Sequence, residues 1–306
     1  MMAGPDYCSV NPYIGQKYMM PDGSLPRTQV KKTILVIGGG MAGMQAAITA
    51  ADIGFDVVLT EREQELGGIF RFTDHDPHKY DHKRFKDRLI RRVRERGWID
   101  LRLGTEADGD LIRALRPDFI VCAVGSSQNQ PDIPGLRENA VPLLAGYGLD
   151  MTAKRVIVLG GGLSGCEAAY SFADAGAAEV SVVGRAGTLA PGPMDSNKMD
   201  LLAGMKRLGV REYPGTAVRA VEPGRVLADG PDGSVELRGD IILHAFGMHS
   251  NPTEPLEASA RALGIPFETA GDCVEPTKVY HAIYDGAAAA LEAWHLFNRE
   301  QEQNDG

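Results

Sequence analysis

The sequence contains few cysteines and no closely spaced pair of them. Four cysteines occur among 306 residues, and no Cys-x-x-Cys motif is present. The dithiol chemistry of disulfide reductases depends on paired thiols, so this absence disfavours it. Cysteines without paired spacing are typical of a reducing compartment, and we expect the chain to be cytoplasmic.

The sequence also lacks a long apolar run and a concentrated block of positive charge. No apolar segment is long enough to span a bilayer, and the N-terminus has no signal-peptide core. The net charge is −9. The densest basic run, residues 91–96, has apolar neighbours at helical spacing and is interpreted as a solvated helix face. Nucleic acid and membranes are therefore not expected as partners.

Familiar catalytic constellations are missing as well. No Ser–His–Asp arrangement and no paired-carboxylate motif stands out, so we predict no catalytic side chain. His75, His78 and His82 are spaced loosely like metal ligands, but they lie in a charged, proline-containing loop. A metal site at these histidines is not favoured.

Glycine, by contrast, is abundant and patterned. Residues 33–51 read TILVIGGGMAGMQAAITAA, which is an apolar strand, a G-x-G-x-x-G turn and an Ala-rich helix. Gly38 would permit the tight turn, Gly40 the approach of a pyrophosphate, and Gly43 close packing of the helix on the strand. The N–H groups and the positive end of the helix would face the phosphates. The predicted phosphate-binding residues are Gly38, Gly40, Met41, Ala42 and Gly43.

An acidic residue follows this turn at the distance that a dinucleotide site requires. The apolar run 55–60 ends at Glu61, 23 residues after Gly38, where a carboxylate can bind both hydroxyls of an adenosine ribose. Arg62 follows it and is included in the predicted site. A glycine-rich turn by itself need not bind a ligand. A turn that has this strand, this helix and this acid predicts a dinucleotide site.

The same device recurs later in the chain. Residues 155–159 are apolar, 160–165 read GGGLSG, and a helix is predicted over 166–175. Each fingerprint is followed, 80 residues after its first glycine, by a matching segment, DFIVCAVG at 118–125 and DIILHAFG at 240–247. The additional site residues predicted from this repeat are Ala123, Gly125, Gly160, Gly162, Leu163, Ser164, Gly165 and Gly247.

This repeat predicts an α/β protein with two Rossmann-like dinucleotide-binding domains, the second inserted in the first. Residues 1–30 are irregular and are interpreted as an N-terminal arm or linker belonging to something outside the two domains. Residues 31–152 and 249–306 would form the first domain, and residues 153–248 the second. Two dinucleotides in one chain suggest redox chemistry.

Three further motifs carry a family resemblance: CSVNP at 8–12, ELGG at 65–68 and GDCVEP at 271–276. With the two fingerprints, they make residues 8–295 similar to the two-dinucleotide-binding-domain flavoproteins. More narrowly, the chain resembles the C-terminal FAD/NAD(P)-binding half of the 2,4-dienoyl-CoA reductase / trimethylamine dehydrogenase group of old yellow enzyme-like NADH:flavin oxidoreductases.

The resemblance implies that the first domain binds FAD. Glu61 would bind the adenosine ribose and Asp272 a ribityl hydroxyl, as a carboxylate accepts strong hydrogen bonds. The helix beginning near Val279 would direct its N-terminus at the pyrimidine side of the flavin. Alternatively, Asp272 is only a turn residue. The resemblance also assigns Gly68 and Gly271 to this site.

The second domain should take a nicotinamide nucleotide. Its strand at 180–183 ends in Gly184-Arg185 instead of an acid, and an arginine can pair with a 2′-phosphate, which favours NADPH over NADH. The alternative is that Arg185 is only solvated. Glu167 resembles an acid often found beside the nicotinamide, although it could be an ordinary charge on a helix face.

Two departures from the family bear on the flavin. Ile69 replaces a usual glutamine, and Val124 replaces a usual threonine, so two polar side chains near the expected flavin are absent. Relatives in the trimethylamine dehydrogenase branch hold only ADP in this domain. ADP therefore remains the alternative to FAD.

Cys8 raises the question of a partner. In full-length relatives, the cysteine of the Cys-x-Val-Asn-Pro segment completes a four-iron cluster whose other ligands lie in an FMN-bearing barrel. Four thiolates are required, so this chain cannot hold a 4Fe-4S cluster alone. Either a partner subunit supplies the barrel and shares the cluster through Cys8, or Cys8 is a relic.

These observations predict an FAD-dependent oxidoreductase that passes electrons from NAD(P)H through FAD to a partner subunit or acceptor. The partner would be an FMN or iron–sulfur barrel that reduces an unsaturated or amine-bearing small molecule. Hydride transfer needs little beyond cofactor placement, which agrees with the lack of catalytic side chains. The alternatives are a self-contained NAD(P)H:acceptor diaphorase and an ADP-binding structural subunit.

Overall fold

The computed structural model describes Cys8 and residues 10–305, with the side chains of residues 300–305 excepted. The chain divides into two compact units. The first unit extends to Arg71 and resumes over Asp81–Ser127 and from His249 onward. The second comprises Phe72–Tyr80 and Gln128–Met248. Residues 72–80 and 128–152, assigned to the first domain from the sequence, thus cluster with the second unit.

Strands and helices alternate through most of the chain. The strands are β1 (Thr33–Ile37), β2 (Asp56–Glu61), β3 (Ile99–Leu103), β4 (Phe119–Cys122), β5 (Ser126–Gln128), β6 (Val141–Pro142), β7 (Arg155–Leu159), β8 (Glu179–Val183), β9 (Arg211–Tyr213), β10 (Ala217–Glu222), β11 (Arg225–Gly230), β12 (Gly233–Arg238), β13 (Ile241–His244), β14 (Met248–Ser250) and β15 (Phe267–Thr269). The helices are α1 (Met41–Ile53), α2 (Tyr80–Glu95), α3 (Gly109–Leu115), α4 (Leu136–Asn139), α5 (Leu143–Gly146), α6 (Leu163–Asp174), α7 (Ser196–Arg207), α8 (Glu254–Ala262) and α9 (Val279–Asp305), with short 3-10 helices at Gly68–Asp74, Pro77–Lys79 and Gly271–Cys273.

The first unit is built on a five-stranded parallel sheet in the order β15-β4-β1-β2-β3. Its central strand β1 is apolar from Ile34 to Ile37 because both faces are covered. Ile34 and Val36 join the core that contains α1 and α9, whereas Leu35 and Ile37 join a second core under α3 and α8. This confirms the predicted α/β class with a parallel sheet.

Helix α1 is buried on nearly every side. All of its residues except Asp52 are buried, which its small, Ala-rich composition permits. It packs against α9 so closely that a Cβ atom on Gly286 would lie 2.2 Å from the carbonyl oxygen of Ala42. Although α9 has 27 residues, no helix in the described part of the chain combines the length and apolarity needed to cross a membrane.

The second unit repeats this plan. Its five-stranded parallel sheet has the order β6-β13-β7-β8-β9, and β10, β11 and β12 form a separate antiparallel sheet. Strand β6 has two residues and pairs with β13, which is why the segment before residue 153 belongs with this unit. Strands β5 and β14 form a two-stranded sheet of their own.

Matching hydrogen bonds support the internal repeat. Asp118, just before β4, accepts a hydrogen bond from the backbone N–H of Thr33, the first residue of β1, at 2.8 Å. Asp240, just before β13, accepts one from the backbone N–H of Arg155, the first residue of β7, at 2.9 Å. An aspartate at the matching position therefore aligns the two corresponding strands in each unit.

The described part of the N-terminal segment packs on the first unit. The ring of Tyr18 stacks on His295 with centroids 4.0 Å apart, the hydroxyl of Tyr284 donates to the carbonyl oxygen of Gly15, and the N–H of Thr28 donates to Ile53. The interpretation of residues 10–30 as belonging to something outside the two domains is corrected accordingly.

The basic run at 91–96 is also more than a solvated face. Leu89 and Val93 of α2 are buried, as the helical spacing predicts. Arg96 donates from Nε to Asp52 Oδ1 at 2.7 Å, and Arg92 donates to Asp52 Oδ2 at 3.1 Å. These ion pairs connect α2 to the one residue of α1 that is not buried.

A buried histidine lies near the end of β13. His244 has no exposed surface, and neither ring nitrogen has a hydrogen-bond partner among the described residues. Burial lowers the pKa of His244 below its ordinary value of 6.5, because an apolar environment penalises the charged imidazolium. The folded protein therefore holds this side chain neutral.

We expect His244 to make the folded protein sensitive to acid. Below pH 6.5 the unfolded chain binds a proton that the folded state excludes, so the free energy of unfolding falls as the pH falls. In His244→Leu this contribution is absent, and removal of the unsatisfied polar groups should raise stability by about 1–3 kcal/mol at neutral pH. Urea denaturation of both proteins between pH 8 and pH 5 measures the two slopes. Parallel pH dependence would show that His244 binds its proton equally well in the folded and unfolded states.

Candidate dinucleotide-binding sites

The two glycine-rich turns have the same backbone geometry. Gly38 has φ +102° and Gly160 has φ +128°, values that favour glycine. A Cβ atom at Gly38 would lie 2.4 Å from the carbonyl oxygen of Ala123, and one at Gly160 would lie 2.2 Å from that of Ala245. Both turns therefore require glycine at their first position.

The last glycine of each fingerprint allows the helix to approach its strand. A Cβ atom on Gly43 would lie 1.8 Å from the carbonyl oxygen of Gly38, and one on Gly165 would lie 1.9 Å from that of Gly160. No side chain fits in this space. The role expected for Gly43 from the sequence is thus evident in both units.

The middle glycine is different, because the packing of the chain does not require it. No atom of the described residues lies within 4 Å of a Cβ atom built on Gly40 or Gly162. Their φ values, −73° and −72°, are accessible to any residue. Each is the N-cap of a helix without a side-chain cap, so the first N–H groups of the helix remain available. This arrangement fits a dinucleotide pyrophosphate. The residues that supply the helix N-termini are Met41 and Ala42 in the first unit and Leu163 and Ser164 in the second.

Glu61 lies at the end of β2, directly beside the first turn. Its side chain is buried, with 7% exposure, and Oε2 accepts a hydrogen bond from the N–H of Gly39 at 2.7 Å. Oε1 accepts one from the N–H of Glu63 at 2.9 Å. A carboxylate has about four acceptor positions, so capacity remains for ribose hydroxyls. The neighbouring Arg62 is exposed, and its Nε lies 3.7 Å from Glu63 Oε1.

The ELGG segment closes on the same turn. The N–H of Gly67 donates to the carbonyl oxygen of Gly39 at 2.9 Å, and a Cβ atom on Gly68 would lie 3.1 Å from Cα of Gly40. Ile69, where the family has glutamine, is 39% exposed. Gly68 is therefore close to the predicted pyrophosphate position, and an apolar side chain follows it.

The GDCVEP segment also reaches the first fingerprint. A Cβ atom on Gly271 would lie 2.7 Å from Cβ of Ala42, so Asp272 is held beside the start of α1. Ser126 donates its hydroxyl to Asp272 Oδ2 at 2.9 Å. Burial raises the pKa of Asp272, and the hydrogen bond from Ser126 opposes that shift. Asp272 is half-buried, which suits a carboxylate that receives a ligand hydroxyl.

The ends of the two sheets show further correspondence. The N–H of Asn251 donates to the carbonyl oxygen of Gly125 at 3.0 Å, and that of Asn129 donates to Gly247 at 2.9 Å. Ala123, directly before Val124 and Gly125, is buried. Helix α9 begins at Val279, where the sequence predicted a helix to begin.

The second unit has no acid at the place of Glu61. The last residue of β1 pairs with Thr60, and the last residue of β7 pairs with Val183, so Glu61 corresponds to Gly184. Arg185 follows, is exposed, and has no ion-pair or hydrogen-bond partner among the described residues. Its guanidinium is therefore available to a ligand.

Glu167 lies on the second turn of α6 and is ion-paired. Its Oε1 is 2.9 Å from Nζ of Lys79, and the two side chains are 32% and 16% exposed. Neither Lys79 nor Ser126 was predicted from the sequence. Neither belongs to a motif, and each meets its partner only through the tertiary fold.

The three loosely spaced histidines are those at which the sequence does not favour a metal site. One of them, His78, lies 3.1 Å from Asp174. Within the described part of the chain, no group of three or more His, Cys, Asp or Glu side chains could hold a metal ion. Cys8 is a half-buried free thiol, and Cys122, Cys166 and Cys273 are buried free thiols.

Two parallel sheets, each with a glycine turn and an uncapped helix N-terminus, define a protein with two dinucleotide-binding folds. The chain belongs to the pyridine nucleotide-disulphide oxidoreductase family, which matches residues 32–274. Membership indicates an NAD(P)H-dependent flavin oxidoreductase.

Individual relatives agree with this assignment. The chain is 33% identical to an NADH oxidase of Thermoanaerobacter brockii over 93% of its length, and 31% identical to a bilirubin reductase of Mediterraneibacter gnavus over 92%. It spans 44% of each of these relatives. The structure of a 2-naphthoyl-CoA reductase complex matches with a TM-score of 0.82 at 26% identity, covering 94% of this chain and 43% of that one. The recognition of the 2,4-dienoyl-CoA reductase group is thereby confirmed.

The two kinds of glycine provide a matched test of the cradles. Gly162→Ala should weaken NADPH binding at least tenfold at an unchanged melting temperature, because the added methyl group meets only a ligand. Gly165→Ala should destabilise the fold by about 1–3 kcal/mol, because its Cβ would overlap the carbonyl oxygen of Gly160. Gly40→Ala should likewise reduce the flavin content at an unchanged melting temperature, whereas Gly43→Ala should destabilise the fold.

Thermal unfolding, flavin content per chain and titration with NADPH measure these effects. If Gly162→Ala binds NADPH as tightly as the wild type does, the pyrophosphate does not lie at Gly162.

Proposed function

We propose that the chain passes electrons from NAD(P)H on the second unit through FAD on the first unit to an acceptor on a partner subunit or further domain. The observation that supports this most is the pair of matching cradles, in which Gly40 and Gly162 occupy uncapped helix N-termini. When bound, the nicotinamide supplies a hydride, which is a proton with two electrons, and the flavin accepts it. The protein would hold the nicotinamide and the flavin in position for this transfer.

In the first unit, Glu61 is proposed to bind the adenosine ribose and Asp272 a ribityl hydroxyl. The retained acceptor capacity of Glu61 and the half-buried position of Asp272 beside Ala42 support these roles. The N-terminus of α9, at Val279, would favour negative charge on the flavin. FAD is preferred to ADP because Asp272 would have no ribityl chain to bind if only ADP were present.

A partner is proposed from the extent of the likeness. The chain spans 44% of the NADH oxidase and bilirubin reductase, so more than half of each relative has no counterpart in it. We propose that an FMN or iron–sulfur barrel, as a separate subunit or further domain, accepts the electrons. Cys8, a free half-buried thiol, is the residue that a shared 4Fe-4S cluster would use.

The terminal acceptor is proposed to be an unsaturated or amine-bearing small molecule. Relatives include a cinnamate reductase of Clostridium sporogenes, 31% identical over 58% of this chain. They also include an N,N-dimethylglycine/sarcosine dehydrogenase of Chromohalobacter salexigens, 34% identical over 42% of this chain. Both spans are partial, so they support a class of acceptor and not one substrate.

A visible spectrum of the freshly purified protein tests this function. We expect a flavin spectrum that bleaches on anaerobic addition of NADPH and recovers when an acceptor is added. A colourless protein that releases ADP on denaturation would contradict the proposal and favour a structural subunit. Rapid turnover with a dye but none with any partner would favour a self-contained diaphorase.

The proposed preference for NADPH rests on Arg185. Arg185→Ala should raise the half-saturating concentration of NADPH about tenfold, because a guanidinium–phosphate pair is lost, and should leave that of NADH unchanged. The rate of flavin reduction measured with both nucleotides gives the ratio. An equal effect on NADH and NADPH would show that Arg185 does not contact the 2′-phosphate.

A further inference from the structure

Two of the four cysteines, Cys122 and Cys273, meet in the first unit, although they are 151 residues apart in the chain. Cys122 is the last residue of β4, and Cys273 ends the 3-10 turn Gly271–Cys273. Sγ of Cys273 lies 3.3 Å from the carbonyl oxygen of Cys122, and the two thiols are hydrogen-bonded to each other. The fold therefore assembles a cysteine pair that the spacing of cysteines in the sequence does not indicate.

The two thiols of this pair differ in how readily they ionise. A hydrogen bond from the thiol of Cys122 lowers the pKa of Cys273, although burial opposes the shift. Backbone hydrogen bonds at Val124 and Gly125 lower the pKa of Cys273 further. The same contact between the thiols, together with burial, raises the pKa of Cys122. Cys273 therefore ionises first, and the thiolate is the form of cysteine that acts as a nucleophile.

The two cysteines also differ in exposure and in the element that carries them. Cys273 is 8% exposed and is followed by the exposed Val274, whereas Cys122 has no exposed surface. Cys122 is held in a strand that lies between β15 and β1, but Cys273 lies on a turn of three residues. An S–S bond is about 2.0 Å long, so the two sulfur atoms must approach each other to form one. The short turn can supply this movement more easily than the interior strand.

We propose that Cys122 and Cys273 form a redox modification site, at which hydrogen peroxide converts the two thiols to an intrachain disulfide. The thiolate of Cys273 attacks one oxygen of the peroxide, so that an S–O bond forms, the O–O bond breaks and hydroxide leaves. The sulfur of Cys122 then attacks the resulting sulfenic acid, and an S–S bond replaces the S–O bond as water leaves. In total the thiols lose two electrons and two protons, and the peroxide becomes two molecules of water.

This modification lies beside the proposed flavin site but does not depend on it. Cys273 follows Asp272 directly, so the disulfide would join β4 to the turn that carries the proposed ribityl-binding carboxylate. Cys166 provides a matched comparison in the second unit, because it is also buried but contacts the carbonyl oxygen of Gly161, at 3.7 Å. Burial raises the pKa of Cys166 to about 11.

Mass spectrometry of the full-length protein tests the proposal. The reduced protein is treated with hydrogen peroxide at pH 7, unfolded, alkylated and digested with trypsin. Peptides 114–137 and 262–278 contain Cys122 and Cys273, respectively, and no other cysteine. They should be recovered as one linked species, two hydrogen atoms lighter than their sum, which dithiothreitol separates. Cys273 should lose its free thiol at least about tenfold faster than Cys166, because more of it is thiolate.

Two variants separate the steps of the reaction. In Cys122→Ser, oxidation of Cys273 should stop at the sulfenic acid, which dimedone traps. In Cys273→Ser, the thiol of Cys122 should remain free for alkylation after the protein is unfolded. Cys166→Ser is the matched control and should give the linked peptides at the wild-type rate. The melting temperature of each variant shows whether it is folded, and the wild-type measurement stands without the variants.

Three results would overturn the inference. The first is recovery of Cys122 and Cys273 as free thiols from the treated wild type. The second is a sulfenic acid at Cys273 without the linked peptides, because the two sulfur atoms would then not meet in the folded chain. The third is a disulfide from either cysteine to Cys8. These results concern the thiols alone, so the proposed function stands or fails separately, by the spectrum of the flavin.

Discussion

The structure depends on the contact between the last glycine of each fingerprint and the turn that precedes it. At Gly43 and Gly165, the carbonyl oxygen of the turn occupies the space of a missing Cβ atom. Only this approach brings the first turn of the helix onto the end of the central strand, with its N–H groups exposed at the edge of the sheet. The cradle therefore follows from backbone packing, before any side chain contributes.

At the end of the second strand beside each glycine turn, the two units carry different residues. The first has the buried carboxylate of Glu61 where the second has Gly184, followed by Arg185, a cation without a partner among the described residues. A carboxylate attracts hydroxyl donors and repels phosphate, whereas a guanidinium attracts phosphate. We propose that this one exchange distinguishes the ligands. The repeat thus supplies two similar glycine turns, each followed by a different residue at the end of the neighbouring strand.

The part of the fold that sequence reasoning could predict was the locally encoded part. Apolar runs followed by glycine turns gave β1, α1, β7 and α6 to within a few residues, because period and turn chemistry act over short distances. From the sequence, the domain boundary was placed after residue 152, whereas residues 128–152 belong to the second unit. Strand β6 in this segment has only two residues and forms through its pairing with β13, so the local sequence does not indicate it. Likewise, nothing near Lys79 or Ser126 indicates their partners, which the chain supplies from distant segments.

The near-complete burial of α1 has a consequence for the order of synthesis. Its covering helix α9 and the edge strand β15 lie at the C-terminal end of the chain, after the whole second unit. While the ribosome is still translating the second unit, the nascent first unit exposes the apolar surface of α1. The inserted unit contains all of its own strands sooner and is able to fold first. In a chain with this topology, the domain begun first is the one completed last.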